Sequence, residues 1–269
     1  MCNLKLTIEY DGTNYCGWQI QRSQGHKVTK SQGHQVTSIQ EVLEKTLQKI
    51  LQEKVKLVAS GRTDSGVHAF AQVANFKINS CISPDKLQRA LNGLLPKDIA
   101  VKKIETVDLD FHSRYSAKSK TYRYIILNAP QRSAFLKDSA YFYAYPLDLS
   151  LMRKEAKCLL GRHDFKSFCA SGSKVKSTVR TIKQLAINKL NSEHRTPNTE
   201  LIYIDIEADG FLYNMVRNIA GTLIEIGRGK LPKGSLRNIL VAKNRKLAGP
   251  TAPALGLTLL EVKYPANFL

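Results

Sequence analysis

Acid is scarce in this sequence. Its 269 residues hold 22 Asp and Glu against 41 Lys and Arg, a formal net charge of +19. Such an excess points to a polyanionic partner, nucleic acid first and an anionic membrane second. The alternative is a soluble protein that is merely basic. Long apolar runs are also missing. None approaches the roughly 20 residues that span a bilayer. The opening MCNLKLTIEYDG enters an alternating pattern with no basic-then-apolar signal segment. Cysteine is sparse and odd in number: Cys2, Cys16, Cys81, Cys158 and Cys169 are scattered, with no C-x-x-C pair. Reduced thiols in a cytoplasmic protein are the simplest expectation. His163 and Cys169 are close in sequence, but two candidate ligands do not make a zinc site. No glycine-rich phosphate loop, metal-ligand triad or Ser/His/Asp order is present, and GRGK at 227–230 is only a fragment of a phosphate-loop pattern. The expectation is a protein without cofactor or metal.

A hydrophobic content of 43% suits a globular chain. The length suits one large domain or two smaller ones sharing a core. Leu4, Leu6, Ile8 and Tyr10 alternate with polar residues, as in a strand. The SIQE at 38–41 has the capping-box form, and Ile39, Val42, Leu43, Leu47, Ile50 and Leu51 follow at helical spacing. Strands are expected around 55–59 and over 72–78. Ser83 and Pro84 open a helix whose core face is Leu87, Ala90, Leu91 and Leu94. After about Val107 the pattern restarts. Strands are expected over 121–127, 140–145, 179–190, 201–208 and 257–264. Helices are expected over 151–160, closed by Gly161, over 211–226, closed by Gly227, and over 236–241. One segment differs: SQGHKVTK at 23–30 is followed by SQGHQVTS at 31–38, an eight-residue tandem repeat. It is too short for a solenoid and reads as an exposed loop, with RNA contact through Lys27, Lys30, His26 and His34 as the other reading.

The chemistry centres on ASGRTDSGVHA, residues 59–69. Asp64 lies between Gly61 and Gly66, with Arg62 two residues before it. An Asp in such a stretch can simply close a turn. A turn does not need the arginine. Flanking glycines let a bulky substrate approach the backbone, and an arginine within about 4 Å would hold the carboxylate ionised. Such a carboxylate can attack an electrophilic carbon or stabilise positive charge on a sugar. Arg217 sits in the apolar FLYNMVRNIAGTLIEIG, where a charge is costly unless paired. Either it is paired or it points outward into water. In RYSAKSKTYRYIIL, residues 114–127, aromatics alternate with bases. As a strand this puts Tyr122 and Tyr124 on one face and Arg123 on the other. Tyrosines here either stack on unpaired bases or half-cover a core.

Taken together, YDGTNYCGWQ, GRTDSGVHA, FHSRYSAKSKTYRY, GRHDFKSFC, ADGFLYNMVRNIAGTLIEIGRGK and TAPALGLTL resemble the TruA family of tRNA pseudouridine synthases, almost end to end and in order. The departure is the SQGH repeat, which lengthens a loop that is usually shorter in the family. The resemblance implies isomerisation of uridine to pseudouridine at positions 38 to 40 of the tRNA anticodon stem-loop, by a cytoplasmic homodimer without cofactor. It implies that Asp64 is the catalytic nucleophile. Tyr122 would lie against the uracil, Arg62 and Arg217 would be the cationic partners, and Leu257 would wall the pocket. The fold expected is α+β: two similar mixed α/β halves sharing a central, largely antiparallel sheet with helices packed on it and an active-site cleft between the halves. Residues 1–108 would carry the Asp loop, and 109–269 the Tyr strand and the Arg helix. The alternatives are a synthase of the same fold with other RNA targets, and a non-catalytic RNA-binding module.

Overall fold

The computed structural model describes residues 1–19, 37–79, 82–172, 175–191 and 200–268. Apart from Thr37 and Ser38, the SQGH repeat lies outside them. The chain divides into two compact units, one of residues 1–118 with 259–269 and one of residues 119–258.

The first unit is built on β1 (Cys2–Tyr10), which runs antiparallel to β3 (His68–Ile78) on one side and to β4 (Ile99–Val107) on the other. The short β2 (Val58–Ala59) adds to β3. Leu4, Leu6 and Ile8 are buried, as the alternation requires. Two helices cover this sheet's apolar residues. In α1 (Ile39–Leu51) the Ser38 hydroxyl accepts the Glu41 amide at 3.2 Å and so satisfies one of the helix's unpaired donors. The face of α1 that is fully buried is Ile39, Leu43 and Leu47. Pro84 starts α2 (Pro84–Leu94), which buries Leu87 and Leu91. Leu94, expected in the core, is half exposed instead. The helix stops there, the backbone turns extended at Leu95, and Leu95 takes the buried position.

The second unit orders its strands around β9 (Glu200–Ala208), antiparallel to both β5 (Ser119–Asn128) and β8 (Val179–Asn191). β7 (Gly161–Asp164) is antiparallel to β8, and β6 (Tyr141–Tyr143) joins β5 in parallel. Within each unit the pairings are therefore mostly antiparallel, in line with the mixed, largely antiparallel reading. Tyr122, Tyr124 and Ile126 are buried on one face of β5. Arg123 lies on the other face, in a forked ion pair with its cross-strand partner Asp205, both bonds 2.7 Å.

Helices α3 (Leu149–Ala156), α4 (Met215–Gly227) and α5 (Ser235–Ala242) pack together. α4 begins four residues later than expected, because Asn214 adopts a left-handed conformation, φ 58°, that a continuous helix cannot contain. Gly227 is the last helical residue rather than the stop. A Cβ there would meet Met152 Sδ at 2.6 Å, so its role is close packing of α3 on α4. The left-handed turn after the helix falls at Gly229, φ 77°. Gly161 likewise opens β7 at φ 93° rather than ending α3. The last strand, β10 (Leu257–Lys263), begins in the second unit and ends in the first.

Candidate active site

The Asp64 loop is held from the side by the segment that follows β1. The Trp18 amide donates to Thr63 O at 3.0 Å, the Ser65 hydroxyl donates to Tyr15 O at 3.0 Å, and the Tyr10 and Thr63 hydroxyls share a bond of 2.8 Å. The Val67 amide closes the turn onto Asp64 O at 3.2 Å. From behind, Gln72 on β3 donates to Gly61 O at 3.0 Å and accepts the Ser60 hydroxyl at 2.7 Å. Two glycines make this contact possible. A Cβ on Gly12 would fall 2.0 Å from Val67 O, and one on Gly17 would fall 2.5 Å from Thr63 O and 3.0 Å from Asp64 C. Gly17 also needs φ 98°, which L side chains rarely adopt. The glycines of YDGTNYCGW thus let one backbone lie against the other, and Asp64 sits at the contact, half buried.

Burial and hydrogen bonding compete in the electrostatics behind the loop. The Tyr10 hydroxyl is pushed up to about 12 by burial, only partly offset by its bonds to Thr63 and Gln72, so it stays protonated. Burial would raise Asp11, but the Thr13 hydroxyl and amide, at 2.6 and 2.9 Å, and His68 outweigh it and hold this carboxyl below its ordinary value. His68 Nδ1 accepts the Gly12 amide at 3.1 Å and lies 3.1 Å from Asp11 Oδ1. Arg62 is exposed.

The second unit gathers Arg217, Tyr124 and Leu257 along one segment, residues 249–257. Arg217 does not extend into water: Nε donates to Ala252 O at 2.7 Å and Nη1 to Asn214 Oδ1 at 3.0 Å. Its own carbonyl accepts the Ala252 amide at 3.2 Å. Tyr124 donates to Pro253 O at 2.9 Å, and a Cβ on Gly256 would meet its ring at 2.8 Å. Burial raises the Tyr124 hydroxyl well above its ordinary value, and the positive charge of Arg217 opposes this. Tyr122 is 8% exposed, its ring edge-on to Phe211 at 5.1 Å. Leu257 is buried where β10 begins. Arg62 and Asp64 fall in the first unit, and Tyr122 and Arg217 in the second, with Leu257 two residues before the chain returns to the first.

Sequence patterns alone did not single out Tyr10, Gly12, Gly17, His68 and Gln72 on the loop side, or Asn214, Asn218 and Ala252 on the helix side. The two glycines in YDGTNYCGW were a usable signal, since a strand followed by closely spaced glycines marks close backbone approach. Among the described residues, no group of three or more His, Cys, Asp or Glu is placed to hold a metal ion. No described helix is long and apolar enough to cross a membrane.

What this arrangement offers is a half-buried carboxylate on a rigid loop, and an aromatic face beside an anchored guanidinium. Comparison with known proteins gives it a context. The family described as tRNA pseudouridine synthase matches residues 6–116 and 156–265. Proteins named tRNA pseudouridine synthase A are 44% identical in Acetivibrio thermocellus, 45% in Clostridium acetobutylicum and 46% in Clostridium botulinum. Each alignment covers 98% of this chain and 100% of the relative. The matched segments take in the Asp64 loop with the glycines that carry it, and the Arg217 helix with the segment that anchors it, so this chain belongs to the tRNA pseudouridine synthase family.

Proposed function

We propose that this protein isomerises uridine to pseudouridine at positions 38 to 40 of the tRNA anticodon stem-loop, with Asp64 as the nucleophile. The observation that carries the reading is the Asp64 loop, a carboxylate fixed by two glycine contacts within a family match over both segments of the chain. The isomerisation breaks the N1–C1′ bond and forms C5–C1′. Carbon 5 gives up its proton and N1 gains one, so no external oxidant, reductant or hydrolytic water enters the balance. The target base is flipped out of its stack at a cost of a few kcal/mol. Asp64 attacks C1′ or promotes a glycal, and both routes need it ionised. Tyr122 lies against the uracil and serves as the base for C5, its hydroxyl taking up the C5 proton as it gives up its own. Leu257 walls the pocket, so the freed base turns without exchanging with water. Arg217 supplies the inner cation. The exposed Arg62 supplies the second cation. The net charge of +19 suits a substrate that is polyanionic along its length. The protein acts as a cytoplasmic homodimer.

Mapping pseudouridine in unmodified tRNA after incubation with the purified protein tests the reading. Conversion confined to positions 38 to 40 is expected. Conversion elsewhere in tRNA, or only in other RNAs, would assign the same chemistry to a different target. No conversion in any RNA would leave an RNA-binding module.

A further inference from the structure

Arg217 is held by Ala252, and Ala252 belongs to a strap anchored on α4 at the next residue, Asn218, and one turn further along, at Gly221 and Thr222. Arg245 sits just after α5. Its Nη1 donates to Gly249 O at 2.9 Å and Ala248 O at 3.3 Å. Its Nη2 donates to Asn218 Oδ1 at 2.9 Å and Thr251 Oγ1 at 3.0 Å. All four partners are neutral oxygens. Thr251 in turn donates to Asn218 Oδ1 at 2.7 Å, and the fully buried Asn218 donates to Phe168 O at 2.8 Å. Below this, the Gly249 amide donates to Thr222 Oγ1 at 2.9 Å. A Cβ on Gly221 would lie 1.8 Å from Pro250 O, so strap and helix are in backbone contact.

We infer that the Asn218–Arg245–Thr251 network is a positioning device for the reaction, fixing the strap so that Ala252 O aims the Arg217 guanidinium. The inference rests on the role given above to Arg217. A forked guanidinium binds four oxygens in fixed directions, which an ammonium cannot do. The strap has only one register against α4, because Gly221 and Gly249 leave no slack. Residue 252 is therefore placed by residues 218, 245 and 251, none of which is needed to touch the substrate. The 249–257 segment also carries the carbonyl that accepts from Tyr124.

A double-mutant cycle tests this. Single-turnover rates with saturating enzyme and tRNA affinities are measured for wild type, Arg245→Lys, Arg217→Lys and the double variant. Positioning predicts that Arg245→Lys slows the single-turnover rate about tenfold while Kd for tRNA moves less than about twofold. In the Arg217→Lys background the same change should cost less than about twofold, because there is no longer a guanidinium to aim. Equal factors in both backgrounds, or a wild-type rate for Arg245→Lys, would overturn the inference while leaving Arg217 its role. A wild-type rate for Arg217→Lys would remove that role, and the inference with it. Thr251→Val takes the place of Arg245→Lys in the cycle if the latter does not fold. It is isosteric at a partly exposed position, and removes one of the four bonds to Arg245 together with the bond to Asn218.

Discussion

Gly17→Ala is the most discriminating single change on the loop side, and its size can be worked out beforehand. The new methyl would sit 2.5 Å from Thr63 O, where ordinary contact begins at 3.4 Å, so one backbone must retreat by 0.9 Å. The φ of 98° adds strain of roughly 1–2 kcal/mol for an L side chain. Loosening the Trp18 amide from Thr63 O costs about 1 kcal/mol more. Neighbouring atoms cannot absorb this cheaply, because the obstacle is backbone. The loop therefore moves, and Asp64 moves with it. A misplacement near 1 Å is worth about 100-fold in rate. Tritium release from tRNA carrying 5-labelled uridine, followed in single turnover, should fall by that order, with tRNA affinity nearly intact and the melting temperature lowered. Gly93→Ala is the control: it lies in α2 with nothing within 4 Å of the new methyl, and should stabilise by about 0.5–1 kcal/mol. A Gly17→Ala rate within about twofold of wild type would refute the claim that this contact sets the position of Asp64.

Tyr10→Phe should change the alkaline limb of stability. The folded hydroxyl titrates near 12 and the unfolded one near 10.0, so the tyrosine's contribution is complete below pH 10 and is lost as pH rises from 10 to 12. Denaturant melts across that range should fall less steeply for the variant, and parallel curves would contradict the assignment. Tyr115 is 76% exposed in the loop before β5, its ring 4.3 Å from that of His112 and 5.7 Å from Arg114 Cζ. Tyr115→Ala should weaken tRNA binding by about 1–3 kcal/mol, as expected for a lost base stack, with Tyr115→Phe close to wild type. Unchanged fluorescence anisotropy titrations for the alanine variant would make this tyrosine a bystander.

Local signals in the sequence were sufficient for the elements they act on. Ser38 and Pro84 start helices where capping chemistry puts them, and the alternation in LKLTIEY gives β1. β4 was not legible because a register shift opposite Thr7 and Ile8 leaves Lys102 out of the pairing, so two lysines sit side by side and interrupt the alternation. Asp64 stood out because its glycines and arginine lie within a few residues of it. What holds that loop did not, since Gly17 and Thr63 meet only through the fold. For Arg217 the residues left open a paired or a solvated guanidinium. The anchor on Ala252, 35 residues away, could be seen only with the strap in place.

The central claim, that Asp64 performs the chemistry, is tested most directly by tritium release from 5-labelled uridine in tRNA by wild type and Asp64→Asn under single-turnover conditions. The amide fits the same loop but carries no charge, so the account predicts release by the wild type and less than about a thousandth of that rate for the variant, with tRNA still bound. Release by Asp64→Asn at a rate comparable to wild type would contradict it.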